Sequence, residues 1–113
     1  MVENSCALAK RKCVPCSGDV PPLSLDQCRK LHGELKNWEL VEAKRLVKSY
    51  KFKDFQSAMD LANKIAVIAE EEGHHPDLLV RWGELRIDLW THAVNGLTES
   101  DFILAAKIDG LQQ

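Results

Sequence analysis

Three of the four histidines in this chain, the adjacent pair His74 and His75 and the more distant His92, are the side chains best suited to chemistry. Histidine alone has an ordinary pKa close to neutral, so it can both give and take a proton under mild conditions. The segment EEGHHPDLL sets His74 and His75 just past an expected helix end, where exposed carbonyls favour imidazolium. Glu70 lies four residues before His74, one helical turn back, so its carboxylate could orient an imidazole. Pro76 biases His75 toward extended backbone, which should point the two rings apart. By alternation along a strand, His92 shares a face with Trp90, Asp88 and Arg86 and could reach a common pocket. Such imidazoles suit general acid/base catalysis, each well-placed transfer contributing roughly 10² to 10⁴ in rate. Two other readings stand beside this one. A His-His pair after a helix can be a solvated loop feature, and three histidines can hold a catalytic zinc if they converge and leave one position open.

The second constellation is sulfur. Cys13, Cys16, Cys28 and His32 spell C-x2-C-x11-C-x3-H, an order that could supply four ligands to a structural zinc. Free thiols are the simpler reading, and a redox role for CVPC a third. Nothing in the start MVENSCALAKRKC resembles a secretory signal, so the expected compartment is the cytoplasm, where the four cysteines, Cys6 included, remain reduced.

Positioning these groups falls to the rest of a 113-residue chain, 45% hydrophobic, enough for one domain with its own core. A net charge of -2 offers no basic footprint for nucleic acid, and the apolar runs are too short and too interrupted to span a membrane. Residues 1–22, with Pro15, Gly18, Pro21 and Pro22, read as an irregular arm carrying the CxxC; 23–113 read as the domain. Ser24 is placed to cap a helix over LDQCRKLH that stops at Gly33. NWELV and KRLVKSYKF form an expected hairpin turning at Glu42 and Ala43, with Leu46, Lys48, Tyr50 and Phe52 on one face. Asp54 caps a longer helix in which Phe55, Ala58, Leu61, Ala62, Ile65, Ala66, Ile68 and Ala69 recur at helical spacing up to Gly73. Leu78–Trp82 and Leu85–Thr91 form a second hairpin across Gly83 and Glu84, with Leu85, Ile87 and Leu89 facing one way. Thr98 and Asp101 fit a capping box for a last helix through FILAAKI. The order α-β-β-α-β-β-α implies an α+β fold, a four-stranded antiparallel sheet with three helices on one face.

These residues carry a resemblance. E-x-x-x-H-H-P-D from Glu70 to Asp77, then Trp82, Trp90, His92 and Asp101, with FKDF at 52–55 and GLTESDFILAAKID at 96–109, is similar to the pterin-4a-carbinolamine dehydratases over roughly residues 23–109. The resemblance implies removal of water from the 4a-hydroxytetrahydropterin left by aromatic amino acid hydroxylases, giving a quinonoid dihydropterin, with no metal or other cofactor required. It implies His74, His75 and His92 as the active-site histidines, His74 and His92 transferring protons and His75 positioning the pterin. Glu70, Trp38, Pro76 and Asp101 fall at substrate-binding positions, although a core role at the start of a strand explains Trp38 at least as well, and a helix-start box with Thr98 is the preferred explanation of Asp101. Gly73 stands where some relatives have an acidic residue. The resemblance further implies a homo-oligomer, dimer or tetramer. A rival reading keeps the fold and makes it a protein-binding module, as in relatives that partner a homeodomain transcription factor. Another makes it a small zinc-stabilised interaction protein.

Overall fold

The computed structural model describes residues 8–11, 13 and 21–112. Helix α1, Leu25–His32, starts where Ser24 accepts from the Gln27 N–H while the Gln27 side chain accepts from the Ser24 N–H, and it ends at Gly33. Two donors at the helix start are thereby satisfied. Strands β1 (Glu39–Val41) and β2 (Arg45–Lys51) form the first hairpin, with Glu42 and Ala43 both left-handed at φ 52° and 57°. Helix α2, Phe55–Glu72, begins at Asp54, whose carboxylate accepts the Ser57 N–H at 2.7 Å. Its buried stripe is Ala58, Leu61, Ala62, Ile65 and Ala69, whereas Phe55 and Ala66 are exposed. The expected apolar stripe was wider than the sheet can cover, and its two flanks stay in solvent.

Strands β3 (Asp77–Arg81) and β4 (Glu84–Leu89) form the second hairpin. Arg81 pairs with Glu84, so the turn is Trp82–Gly83, one residue earlier than the expected Gly83–Glu84, and Trp82 is 73% exposed at its tip. Gly83 explains the shift: its φ of 75° is left-handed, the conformation only glycine adopts without strain. Strand β4 also stops at Leu89 instead of running to Thr91, which makes a single bridge to Gly96. A 3-10 turn over His92–Val94 leads to helix α3, Glu99–Asp109.

The sheet order is β1-β2-β4-β3, antiparallel throughout, so the two hairpins join through β2 and β4. Their register sets Leu46 against Leu89 and Tyr50 against Leu85 on the inner face, with Val47 against Asp88 and Ser49 against Arg86 on the outer. Helices α2 and α3 cover the inner face; Phe102, Ile103, Leu104, Ala105, Ala106 and Ile108 are all buried there. The alternation of β2 brings one charge inward, Lys48. It is met by Asp109 at the end of α3, whose Oδ1 accepts from Lys48 Nζ and Trp38 Nε1, each at 2.8 Å. A buried charge so paired and hydrogen-bonded is tolerable where a bare one is not.

Candidate active site

Gly73 ends α2 in the left-handed conformation, φ 66°, and its neighbour His74 donates its N–H back to the Ala69 carbonyl. A side chain at position 73 would meet no atom within 4 Å, so the backbone angle, not space, favours glycine there. The chain leaves the helical spiral at this residue, and the i,i+4 relation between Glu70 and His74 is broken. Glu70 Oε2 instead sits 2.8 Å from His75 Nε2, an exposed pair with side chains 77% and 58% accessible. The carboxylate expected to orient His74 therefore orients its neighbour.

The group that holds His74 is Asp101. Its Oδ1 lies 2.6 Å from His74 Nε2, with the two side chains 0% and 11% exposed. Asp101 Oδ2 accepts from Thr91 Oγ1 at 2.7 Å and from the Thr98 N–H at 3.0 Å. The capping role foreseen for Asp101 and its hold on the histidine are thus the work of one carboxylate using both oxygens. With Nε2 donating to a carboxylate, the neutral imidazole carries its proton there, and Nδ1 is the nitrogen left to exchange one. The same reasoning applies to His75 through Glu70.

His92 lies beyond β4 and stacks on Trp90, with ring centroids 4.0 Å apart. Trp90 is itself held: its Nε1 donates to Asp77 Oδ2 at 3.3 Å, and the Arg45 guanidinium lies 5.5 Å from its ring centroid. Asp88 ties Arg45 to Arg86 on this outer side of the sheet, at 3.3 and 2.8 Å.

His74, His75, Pro76 and His92 line one open cavity of about 380 Å³ together with Gly73, Asp77, Trp90 and Thr91. All three histidines singled out in the sequence therefore share a site, although His92 comes from a different element. Glu70 stands behind His75 at the edge of a smaller apolar groove that Ile65, Ala66 and Leu78 also line. Trp38 is not among the cavity's lining residues; it is buried, with Asp109 on its indole N–H and Lys48 near its ring. Trp82 is not among the cavity's lining residues either. Asp77, Trp90 and Thr91 were not expected as site residues. The available signal was the position of Trp90 two residues before His92, on the same side of a strand.

The possible zinc set behaves differently. The Cys13 thiol donates to the Ser100 carbonyl, the Cys28 thiol approaches the Leu23 carbonyl at 4.0 Å, and the His32 ring contacts the Trp38 carbonyl. Cys16 lies outside the described residues. Among those described, no three metal-ligating side chains gather closely enough to hold an ion.

The family model for pterin 4 alpha carbinolamine dehydratase matches residues 21–111, the stretch that holds the sheet, the helices and every residue lining the cavity. The chain belongs to this family. A Rickettsia bellii protein bearing the dehydratase name is 54% identical over 109 residues, covering 96% of each chain. One from Rubrobacter xylanophilus is 45% identical over 104 residues, covering 92% of this chain and 97% of its own. A crystal structure of a transcriptional coactivator/pterin dehydratase from Brucella melitensis superposes with a TM-score of 0.74 at 29% identity, covering 80% of this chain and 98% of that one. The shared fold is the α+β arrangement described above. The family is one of hydro-lyases, enzymes that remove water, and its name specifies a pterin carbinolamine. No helix among the described residues is long and apolar enough to cross a membrane.

Proposed function

We propose that this chain dehydrates a 4a-hydroxytetrahydropterin to the quinonoid dihydropterin by histidine acid/base catalysis, within the recycling of the tetrahydropterin used by an aromatic amino acid hydroxylase. The observation that carries this reading is the convergence of His74, His75 and His92 on one cavity in a chain of this family.

The reaction breaks the bond between C4a and its hydroxyl, so the departing oxygen needs a proton and a ring nitrogen must lose one. Two groups of opposite protonation state, held on one cavity, can do both without a metal ion. His74 is assigned one of these transfers because Asp101 fixes its tautomer and orientation and stabilises the imidazolium formed when Nδ1 takes a proton. His92 is assigned the other; Trp90 supports its ring. His75, exposed and held by Glu70, is assigned to positioning the pterin, with Pro76 shaping the wall beside it.

The test is to generate the carbinolamine with a hydroxylase and follow its dehydration by ultraviolet absorbance. His74→Ala and His92→Ala are expected to slow it by about 10² to 10⁴-fold. Rates equal to wild type in both would sink the assignment. The name of the Brucella neighbour includes a coactivator role, and a purely protein-binding function would be indifferent to both substitutions.

A further inference from the structure

The described residues of the N-terminal segment pack closely against the helices. Leu8 is 2% exposed within the core, Lys107 Nζ donates to the Ala9 carbonyl, and Arg11 pairs with Glu99 at 2.8 Å. Cys13 makes two contacts at once. Its N–H donates to Glu72 Oε1 at 2.9 Å and its thiol to the Ser100 carbonyl at 3.5 Å. Glu72 is the last residue of α2, two before His74; Ser100 immediately precedes Asp101 in the first turn of α3. One residue outside the family-matched stretch therefore touches both helix termini that present the His74–Asp101 pair.

We propose that Cys13 is a positioning residue, clasping the C-terminal end of α2 to the first turn of α3 and so setting the separation of His74 from Asp101. The role rests on the acid/base function assigned to His74 above. Two features strengthen the clasp. The Glu72 side chain is 5% exposed and lies 3.8 Å from Lys107, so its carboxylate is held in a partly desolvated setting where the hydrogen bond from the Cys13 N–H counts for more than at the surface. Burial, followed by the nearby Glu72 charge, pushes the Cys13 thiol up to about 11, which keeps it protonated at neutral pH as a donor and makes it a poor nucleophile.

Three readouts test this on the full chain: kcat and KM, the His74 imidazole 15N resonances, and the rate of iodoacetamide labelling at Cys13 read by mass spectrometry. Glu72→Ala is expected to lower kcat by about tenfold and Cys13→Ala by about threefold, both with little change in KM, since a small misplacement of a catalytic group acts on the chemical step. The His74 resonances move in both variants, Cys13→Ser restores most of the lost rate, and Glu72→Ala speeds labelling of Cys13. A lowered melting temperature with unchanged kcat and unchanged His74 resonances would make the segment merely structural and overturn the clasp. Should Glu72→Ala fail to fold, Cys13→Ala, at a half-buried position, decides alone. If wild type lacks dehydratase activity, the proposed function fails, while the resonances and labelling still judge the clasp.

Discussion

His74 Nε2 and Asp101 Oδ1 are 2.6 Å apart although the residues are 27 positions apart in sequence, one just past the end of α2 and the other inside the first turn of α3. The carboxylate that caps α3 is thus the one that holds the histidine. Asp101→Asn should lower kcat by about 10²-fold, because an amide cannot stabilise the imidazolium and can present its N–H to the wrong nitrogen. It should also cost about 1 to 3 kcal/mol of stability, since the buried Thr91 and Thr98 groups lose a charged acceptor. Dehydration kinetics and urea unfolding measure both; a kcat within twofold of wild type would remove Asp101 from the mechanism.

The Glu70–His75 pair is built alike but stands in water. Exposed ion pairs contribute about 0 to 1 kcal/mol, so Glu70→Gln should change kcat by less than about fivefold. A loss as large as that of Asp101→Asn would mean that the tuning of His75 matters as much as that of His74.

Trp90 gives His92 its seat. Stacked aromatic pairs contribute about 0.5 to 1.5 kcal/mol, so Trp90→Ala should slow turnover by about two- to tenfold through a less ordered His92. His92→Ala with Trp90→Ala should then be no slower than His92→Ala alone. Additive losses in the double variant would show that Trp90 acts on substrate independently.

Alkaline pH should loosen the fold. Burial raises the Tyr50 hydroxyl and pushes the Cys13 thiol up to about 11. For Lys48, burial works in the opposite sense, but its bond to Asp109 and its approach to Tyr50 outweigh it and the ammonium is raised too. All three groups hold their protons more tightly folded than unfolded. Their contribution is therefore complete below the unfolded values, about 8.5 for Cys and about 10 for Tyr and Lys, and disappears as pH climbs through the folded ones. Denaturant unfolding from pH 8 to pH 11 should show falling stability, with a shallower decline in Tyr50→Phe,Cys13→Ala. A parallel decline in the double variant would place the pH sensitivity elsewhere.

Chelator treatment followed by dialysis should leave the dehydration rate unchanged, because imidazoles and carboxylates suffice for the proposed transfers. Loss of activity restored by zinc would bring back Cys13, Cys16, Cys28 and His32, or the three histidines, as ligands.

Local rules were enough for what depends on local chemistry. Ser24, Asp54 and Thr98 mark the helix starts, Gly33 and Gly73 mark two ends, and the alternation of Leu85, Ile87 and Leu89 marks a core strand, because caps and periodicity act within a few residues. The three histidines and the α+β class were legible for the same reason, helped by a motif whose spacing survives in the linear chain. What sequence alone left open is which side chains pair across the fold. The pairing of β2 with β4 set Lys48 facing Asp109 and drew Trp38 into that buried cluster instead of the cavity. The left-handed turn at Gly73 redirected Glu70 from His74 to His75, and the packing of α3 beside the end of α2 supplied Asp101 in its place. Helical spacing predicts neighbours only while the helix continues. Once the backbone turns, which carboxylate meets which imidazole is decided by how separate elements pack.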